Sequence, residues 1–187
     1  LIRYICKMTP IIVLVSFLSF SFLRAQCFGK YKKKSNRKRE RLLLAFSTYC
    51  LWILFFLLIA NTNLENGGVT LGIDTATEDW RINLVPFATM RSFRDYASFQ
   101  GFFLNVWGNV LIAIPLGFAT PILFRRFRGL LSCLSLYGAA FLAIETLQYF
   151  VGRSADIDDW ILNMCGILIG YGIAKAQRRF DPRIYNR

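Results

Sequence analysis

The chain contains no histidine. That absence excludes His-ligated zinc sites, Ser-His-Asp triads and Cys-His nucleophile pairs, and with them much of the usual hydrolase chemistry. Its five cysteines (Cys6, Cys27, Cys50, Cys133 and Cys165) are scattered, form no CxxC pair and never fall two to a loop. Such spacing supports neither a disulfide framework nor a thiolate metal site. Acidic residues are scarce as well, 11 Asp and Glu against 23 Lys and Arg, for a net charge of +12 over 187 residues. There is no internal repeat, and no low-complexity tract beyond one basic run.

What the chain has in excess is apolar surface: 55% of its residues are hydrophobic and 16% aromatic. A soluble domain of this length cannot hide that much, whereas lipid accepts it. A helix crosses the hydrocarbon core with roughly 20 mostly apolar residues. Leu42–Ala60, Gly101–Phe124 and Gly129–Val151 fit that rule, the last broken only by Glu145; Trp160–Ala174 is shorter and leans on its flanks. A further candidate, Thr9–Phe28, contains Arg24 near its end. The expected fold class is all-α, an integral membrane bundle of about five transmembrane helices. The first candidate also has a signal-peptide pattern, with Arg3 and Lys7 ahead of an apolar core at Pro10–Leu23. Arg24-Ala25-Gln26-Cys27 is not a lipoprotein cleavage site, however, and a dense basic run follows, so a retained helix is expected. Because the chain begins at Leu1, Met8 is a candidate start that would leave a minimal anchor helix.

The run Lys30–Arg39 would suit nucleic acid. It lies between two apolar spans, though, where positive charge keeps a loop in the cytoplasm and meets anionic headgroups. Membrane lipids are the expected partners, and nucleic acid is not. With that loop inside, 17 of the 23 Lys and Arg fall inside, in three separate segments, while Glu40 and Asp181 are the only acids there. The N-terminus is therefore expected outside and the C-terminus inside. The organisation read from this is an anchor helix with its basic loop (1–41), a second span (42–60), an extracytoplasmic stretch (61–100) and a charged cytoplasmic tail (177–187). Within 61–100, Asn61–Asp79 reads as an irregular loop with turns at Asn66-Gly67-Gly68 and Leu71-Gly72. Trp80–Gln100 mixes apolar residues with Arg81, Arg91 and Arg94, as suits the membrane interface, and Pro86 is expected to start a short helix. This segment is expected to cover the outer face of the bundle.

The most informative feature is the polar string Glu145-x2-Gln148-x4-Arg153-x2-Asp156-x-Asp158-Asp159-x3-Asn163, which begins and ends inside two apolar segments. Lipid penalises an ionisable side chain by a few kcal/mol at least, so one placed there faces protein or a functional cavity. Glu145 and Gln148 share a helical face, as do Asp159 and Asn163, and Asn105 and Asn109 on the third span. All converge on the outer leaflet, Glu145 roughly 9 Å in from Val151 at a rise of 1.5 Å per residue. Gly166-x3-Gly170, continuing to Ala174, makes a flat packing face, and Pro115 and Pro121 are expected to bend the third span. The polar groups could simply lock the bundle, with Asp158 or Asp159 capping the last helix and Arg153 neutralising an acid. They could instead do chemistry, with Glu145 and Asp159 as general acid and base. Or they could bind: Arg153, Arg81 and Arg91 gripping an anionic headgroup while asparagines take sugar or peptide groups. The Asp-x-Asp-Asp spacing matches no standard calcium loop, and neither metal nor cofactor is expected. That three helices contribute at one depth favours a site over a lock.

Three short motifs in order carry a family resemblance. They are Asn83-Leu84-Val85-Pro86-Phe87, Gly108-Asn109-Val110-Leu111-Ile112-Ala113-Ile114-Pro115-Leu116-Gly117, and Glu145-Thr146-Leu147-Gln148 with Arg153, Asp156, Asp158-Asp159, Asn163, Gly166 and Gly170. Together they resemble the VanZ-like family over roughly Asn83–Tyr171, with a VanZ-like domain expected at 83–176. The resemblance implies a helical protein of the bacterial plasma membrane associated with resistance to glycopeptides, notably teicoplanin. It implies no settled reaction. The expected role is to bind or modify a lipid-linked cell-wall precursor or a lipid-tailed molecule such as a lipoglycopeptide, with an intramembrane enzyme or a small proton-coupled transporter as alternatives. The candidate ligand-binding residues are Asn83, Asn105, Asn109, Glu145, Gln148, Arg153, Asp156, Asp158, Asp159 and Asn163; Glu145 and Asp159 are the candidate catalytic pair.

The charge-derived topology has a direct test. A reporter active only in the cytoplasm, fused after Arg187, should be active, and an export-dependent phosphatase fused at the same point should be silent; the reverse pattern rejects the orientation.

Overall fold

Apolar runs of this length satisfy their backbone polar groups within lipid only as helices, and the computed structural model is built from them. It describes residues 2–27, 37–58, 60–63, 68–71, 82–91, 99–150 and 155–180. The helices are α1 (Ile2–Gln26), α2 (Arg37–Leu58), α3 (Phe99–Leu123), α4 (Leu130–Phe150) and α5 (Ile157–Phe180). Each holds a stretch long and apolar enough to cross a membrane, five in all, as expected. The chain is thus a multi-pass membrane protein. Three helices reach beyond their apolar runs: α1 starts at Ile2 and takes in Arg3 and Lys7, α2 starts in the basic segment at Arg37, and α5 continues to Phe180 past Ala174. Long Lys and Arg side chains make this tolerable, since their stems can lie along apolar surface while their charges reach water.

The chain divides into two units, Leu1–Ile73 and Asp74–Arg187. In the first, α1 and α2 run antiparallel. Near the connection, Arg24 donates from Nε and Nη2 to the two carboxylate oxygens of Glu40 at 2.9 and 2.6 Å. Toward the far end Trp52 Nε1 donates to Thr9 Oγ1 at 3.1 Å. Arg24 lies in the last turn of α1 and Glu40 in the first turn of α2, so each charge also faces the helix-dipole end that favours it. Strands β1 (Ala60–Asn63) and β2 (Gly68–Leu71) then pair antiparallel, Ala60 opposite Leu71 and Asn63 opposite Gly68. An irregular loop was expected there. Thr62 opposite Val69, and Thr70 opposite Asn61, put β-branched residues on both strands, a preference the Asn- and Gly-rich composition obscured.

The second unit is built on α3 and α5, which lie parallel and in close contact. A Cβ added at Gly166 would meet the Val110 carbonyl oxygen and, at 2.7 Å, the Ala113 Cβ. One added at Gly170 would meet the Ile114 carbonyl oxygen and, at 2.7 Å, the Phe118 nitrogen. Gly117 on α3 is equally filled, by the Ile167 carbonyl. The Gly-x3-Gly face expected from the sequence therefore seats directly on the α3 backbone, at a separation where Cα–H groups and carbonyls interact. Ala113, Ile167 and Ala174 are completely buried along this seam. Helix α3 is continuous through both Pro115 and Pro121.

Helix α4 packs on the pair through polar handles rather than close backbone approach. Trp160 Nε1 on α5 donates to the Gly138 carbonyl at 3.0 Å. The buried Tyr137 hydroxyl pairs with Thr120 Oγ1 of α3 at 2.5 Å and also reaches the Leu116 carbonyl at 3.4 Å. Tyr171 of α5 donates to the carbonyl of Arg128, just after the 3-10 turn Arg125–Phe127 that joins α3 to α4. Faces turned away from these contacts are apolar and exposed, Leu131, Leu142 and Ile173 among them, as a lipid-facing surface requires.

Filling the α3–α5 seam should cost stability in proportion to what the new methyl group meets. Gly170→Ala should lose about 1–3 kcal/mol, read as a lowered unfolding midpoint in detergent. Gly172→Ala, where a Cβ meets nothing within 4 Å, should stay within about 0.5 kcal/mol of the parent.

Candidate functional site

The site begins with a capping problem. Val85-Pro86-Phe87-Ala88 closes a turn, Ala88 N–H donating to the Val85 carbonyl at 3.2 Å, and residues 88–91 continue as a helical turn with Arg91 N–H on the Phe87 carbonyl. Proline presets the first corner of such a turn, and Phe87 takes the second at φ 65°, the left-handed region usually left to glycine. Phe87 is also the first carbonyl of the helical turn, the position where Ser, Thr, Asp or Asn would normally cap. Its side chain cannot do that. The Asp158 carboxylate does it from α5: Oδ1 accepts the Phe87 N–H, and Oδ2 accepts the Met90 N–H at 3.1 Å. One carboxylate thus satisfies both donors that a capping box would share between two local side chains. Asp158 is 1% exposed, and these charge-assisted bonds offset its burial.

Asp156 fastens the same loop from two residues earlier. Its backbone pairs in a two-residue parallel bridge, β3 (Ile82–Asn83) with β4 (Ala155–Asp156), Asn83 opposite Asp156. Its carboxylate accepts the Thr89 hydroxyl through Oδ2, and through Oδ1 the Asn83 amide at 3.3 Å and the Asp158 N–H at 2.9 Å. That last bond caps α5 itself. The cap expected at Asp158 or Asp159 falls on Asp156, because the helix begins at Ile157 and leaves the Asp158 N–H as one of its unpaired donors. Asn83 completes the knot, its amide donating to Thr89 Oγ1 at 2.8 Å while its Oδ1 accepts the Val85 N–H at 3.1 Å.

The remaining polar residues tie the helices to this knot. Glu145 on α4 accepts the Asp156 N–H at 3.2 Å, and Asn109 on α3 donates to Asp159 Oδ1 at 2.5 Å. Gln148 is buried at 6% exposure. Asn163, one turn beyond Asp159, is 3% exposed, and its Oδ1 has no hydrogen-bond partner. Leaving a buried acceptor unsatisfied costs about 1–3 kcal/mol. Asn105 lies on α3, and Arg153 and Arg81 fall outside the described residues, whereas Arg91 is exposed on the helical turn. Glu145 and Asp159 are engaged by different donors on different helices. Among the described residues no group of three Asp, Glu or Cys is arranged to hold a metal ion.

Sequence reasoning missed Thr89 and the Phe87 and Met90 N–H groups. The signal that could have found them was negative: a Pro-started helical turn with no capping residue of its own must find its cap elsewhere. On the outside of the knot lie Ile82, Leu84, Val85 and Phe87, apolar and 49–71% exposed.

The fold and site together define a helical membrane protein whose polar residues gather where one loop is pinned to the start of the last helix. The sequence profile of the VanZ/LLP1 family matches residues 43–178, well over half of the chain. The chain belongs to that family. The match begins some way before the Asn83 motif and takes in most of α2. No curated protein and no solved structure matches the chain.

Replacing Asp158 by Ala should release the loop, because two N–H groups lose their acceptor at once. The expected loss is about 2–4 kcal/mol, with new protease cleavage within residues 83–91; Asp158→Asn, which keeps one acceptor oxygen, should be intermediate.

Proposed function

We propose that the chain is a bacterial plasma-membrane protein that binds an amphiphilic envelope molecule, lipid-linked or lipid-tailed, at this polar site in the outer leaflet. Through that binding it changes how teicoplanin-type glycopeptides act at the cell surface. The observation that carries the reading is the juxtaposition within residues 82–91 and 145–163. An exposed apolar ledge of Leu84, Val85 and Phe87 is held by Asp156 and Asp158 directly beside the polar groups of three helices. An amphiphile needs both kinds of surface side by side: apolar contact for its tail and fixed polar atoms that orient its head. The outer side follows from the loop charges and the glycopeptide context from the family resemblance. The asparagines and glutamine offer amide donors and acceptors suited to sugar or peptide groups, and Arg91, with Arg153 and Arg81, supplies charge for a phosphate.

Glu145→Gln and Arg153→Ala, each expressed at parental level in the membrane, separate binding from chemistry. A binding protein should keep most of its effect on teicoplanin tolerance with Glu145→Gln, which preserves shape and one acceptor oxygen, and lose it with Arg153→Ala. Complete loss with Glu145→Gln alone would mark an acid-base enzyme or proton carrier. If both variants keep full tolerance, the cluster is a structural lock.

A further inference from the structure

The second unit separates its charges by end. The four acids between Phe99 and Phe180 (Glu145, Asp156, Asp158 and Asp159) lie where α4 stops and α5 begins. From Asp159 to Lys175, α5 rises roughly 24 Å at about 1.5 Å per residue, and there it meets the turn that joins α3 to α4. Residues 124–128 and 175–187 carry eight Lys and Arg against one acid, Asp181. The excess is therefore positive whichever cation Asp181 meets.

A basic loop that only fixes orientation needs no particular arrangement. Here one buried side chain brings the cations of two segments together. Tyr171 donates its hydroxyl to the Arg128 carbonyl at 2.7 Å and carries Lys175 Nζ over its ring, 5.6 Å from the centroid. The turn it holds presents Arg125 and Arg126, both exposed, and α4 follows with no acid in its first turn.

Beside these charges the surface is open and apolar. Gly172 precedes Lys175 by one turn on the same face of α5, and a Cβ built there meets nothing within 4 Å. Leu168, one turn further back, is exposed, and Leu131 in the first turn of α4 is 80% exposed.

We propose that Arg125, Arg126 and Lys175 hold the phosphate of an anionic phospholipid whose acyl chains lie along Leu131 and Leu168. Guanidinium forks match phosphate oxygens in pairs, and the ammonium adds a point charge. A soluble phosphate would meet the charges and leave the apolar surface unused. This lipid site is at the far end of the unit from the proposed amphiphile site and does not depend on it.

The test places the full chain in phosphatidylcholine nanodiscs with a trace of phosphatidylglycerol that carries a photoreactive group near its glycerol. Crosslinks mapped by peptide mass spectrometry should concentrate within residues 124–132 and 168–178. Each cation at an anionic surface is worth about 5-fold in affinity. Unlabelled phosphatidylglycerol should therefore compete roughly 10-fold or more better than phosphatidylethanolamine of the same acyl chains. Arg125→Gln with Arg126→Gln should lower the crosslinking by a similar factor, whereas Arg125→Lys with Arg126→Lys should largely retain it. Arg37→Gln with Arg41→Gln removes the same charge from the start of α2 and should leave it unchanged. Tyr171→Phe, which keeps the ring but loses the hydroxyl bond, should give an intermediate loss. Equal competition by the two lipids, or an equal loss in the α2 pair, overturns the site and leaves the patch a topological charge. Displacement by inorganic phosphate as efficient as by the lipid overturns the lipid assignment. Loss in the Lys pair as large as in the Gln pair overturns the charge argument, and an unchanged signal in Tyr171→Phe overturns the role of the tyrosine.

Discussion

The close parallel approach of α3 and α5 is the constraint on which the second unit depends. Lipid gives apolar helices no hydrophobic reason to associate, so packing must come from backbone proximity and from polar contacts. Gly166 and Gly170 provide the proximity by letting the Val110 and Ile114 carbonyls lie where side chains would otherwise stand. Once α5 is seated this way, Asn109 can reach Asp159, and Asp156 and Asp158 come to the end of the helix pair facing the loop. A shift of one residue along the seam would present Cβ atoms to those carbonyls and carry the acids out of register with the loop.

The loop in turn is held by residues remote in sequence. Phe87 sits in a left-handed conformation that costs about 1–2 kcal/mol for an ordinary residue, and its helical turn has no cap of its own. Asp158, 71 positions later, stabilises both through two N–H bonds. The reason to keep a strained phenylalanine there is visible in what it exposes: Phe87, Leu84 and Val85 are turned outward as a ledge beside the polar groups. Asp156 and Asp158, two of the candidate ligand-binding acids, are thus occupied in shaping the surface next to them. Asn163 stands apart from that work, its buried Oδ1 without a hydrogen-bond partner.

Most of the helical architecture was legible in the residues. Five apolar stretches became five helices, since length and hydropathy suffice where lipid is the solvent. The boundaries at α1, α2 and α5 were misjudged for one cause: the helices extend into flanks carrying Lys and Arg that an apolar count leaves out. The short hairpin β1–β2 was hidden by its Asn and Gly content. At the site, the string from Glu145 to Asn163 named the acids and amides but could not assign their partners, because hydrogen bonds between residues 50 to 73 positions apart leave no periodic trace.

By itself the sequence determined that the chain crosses a membrane, which stretches do so, and which family it joins, because hydropathy and short motifs are local properties. Tertiary structure alone decided that Asp158 caps a distant turn, that Asp156 rather than its neighbours caps α5, and that Asn163 is left with an unanswered oxygen. Those outcomes depend on which backbone donors meet which acceptors in three dimensions. That pairing is set by the α3–α5 seam and not by any residue's neighbours in the chain.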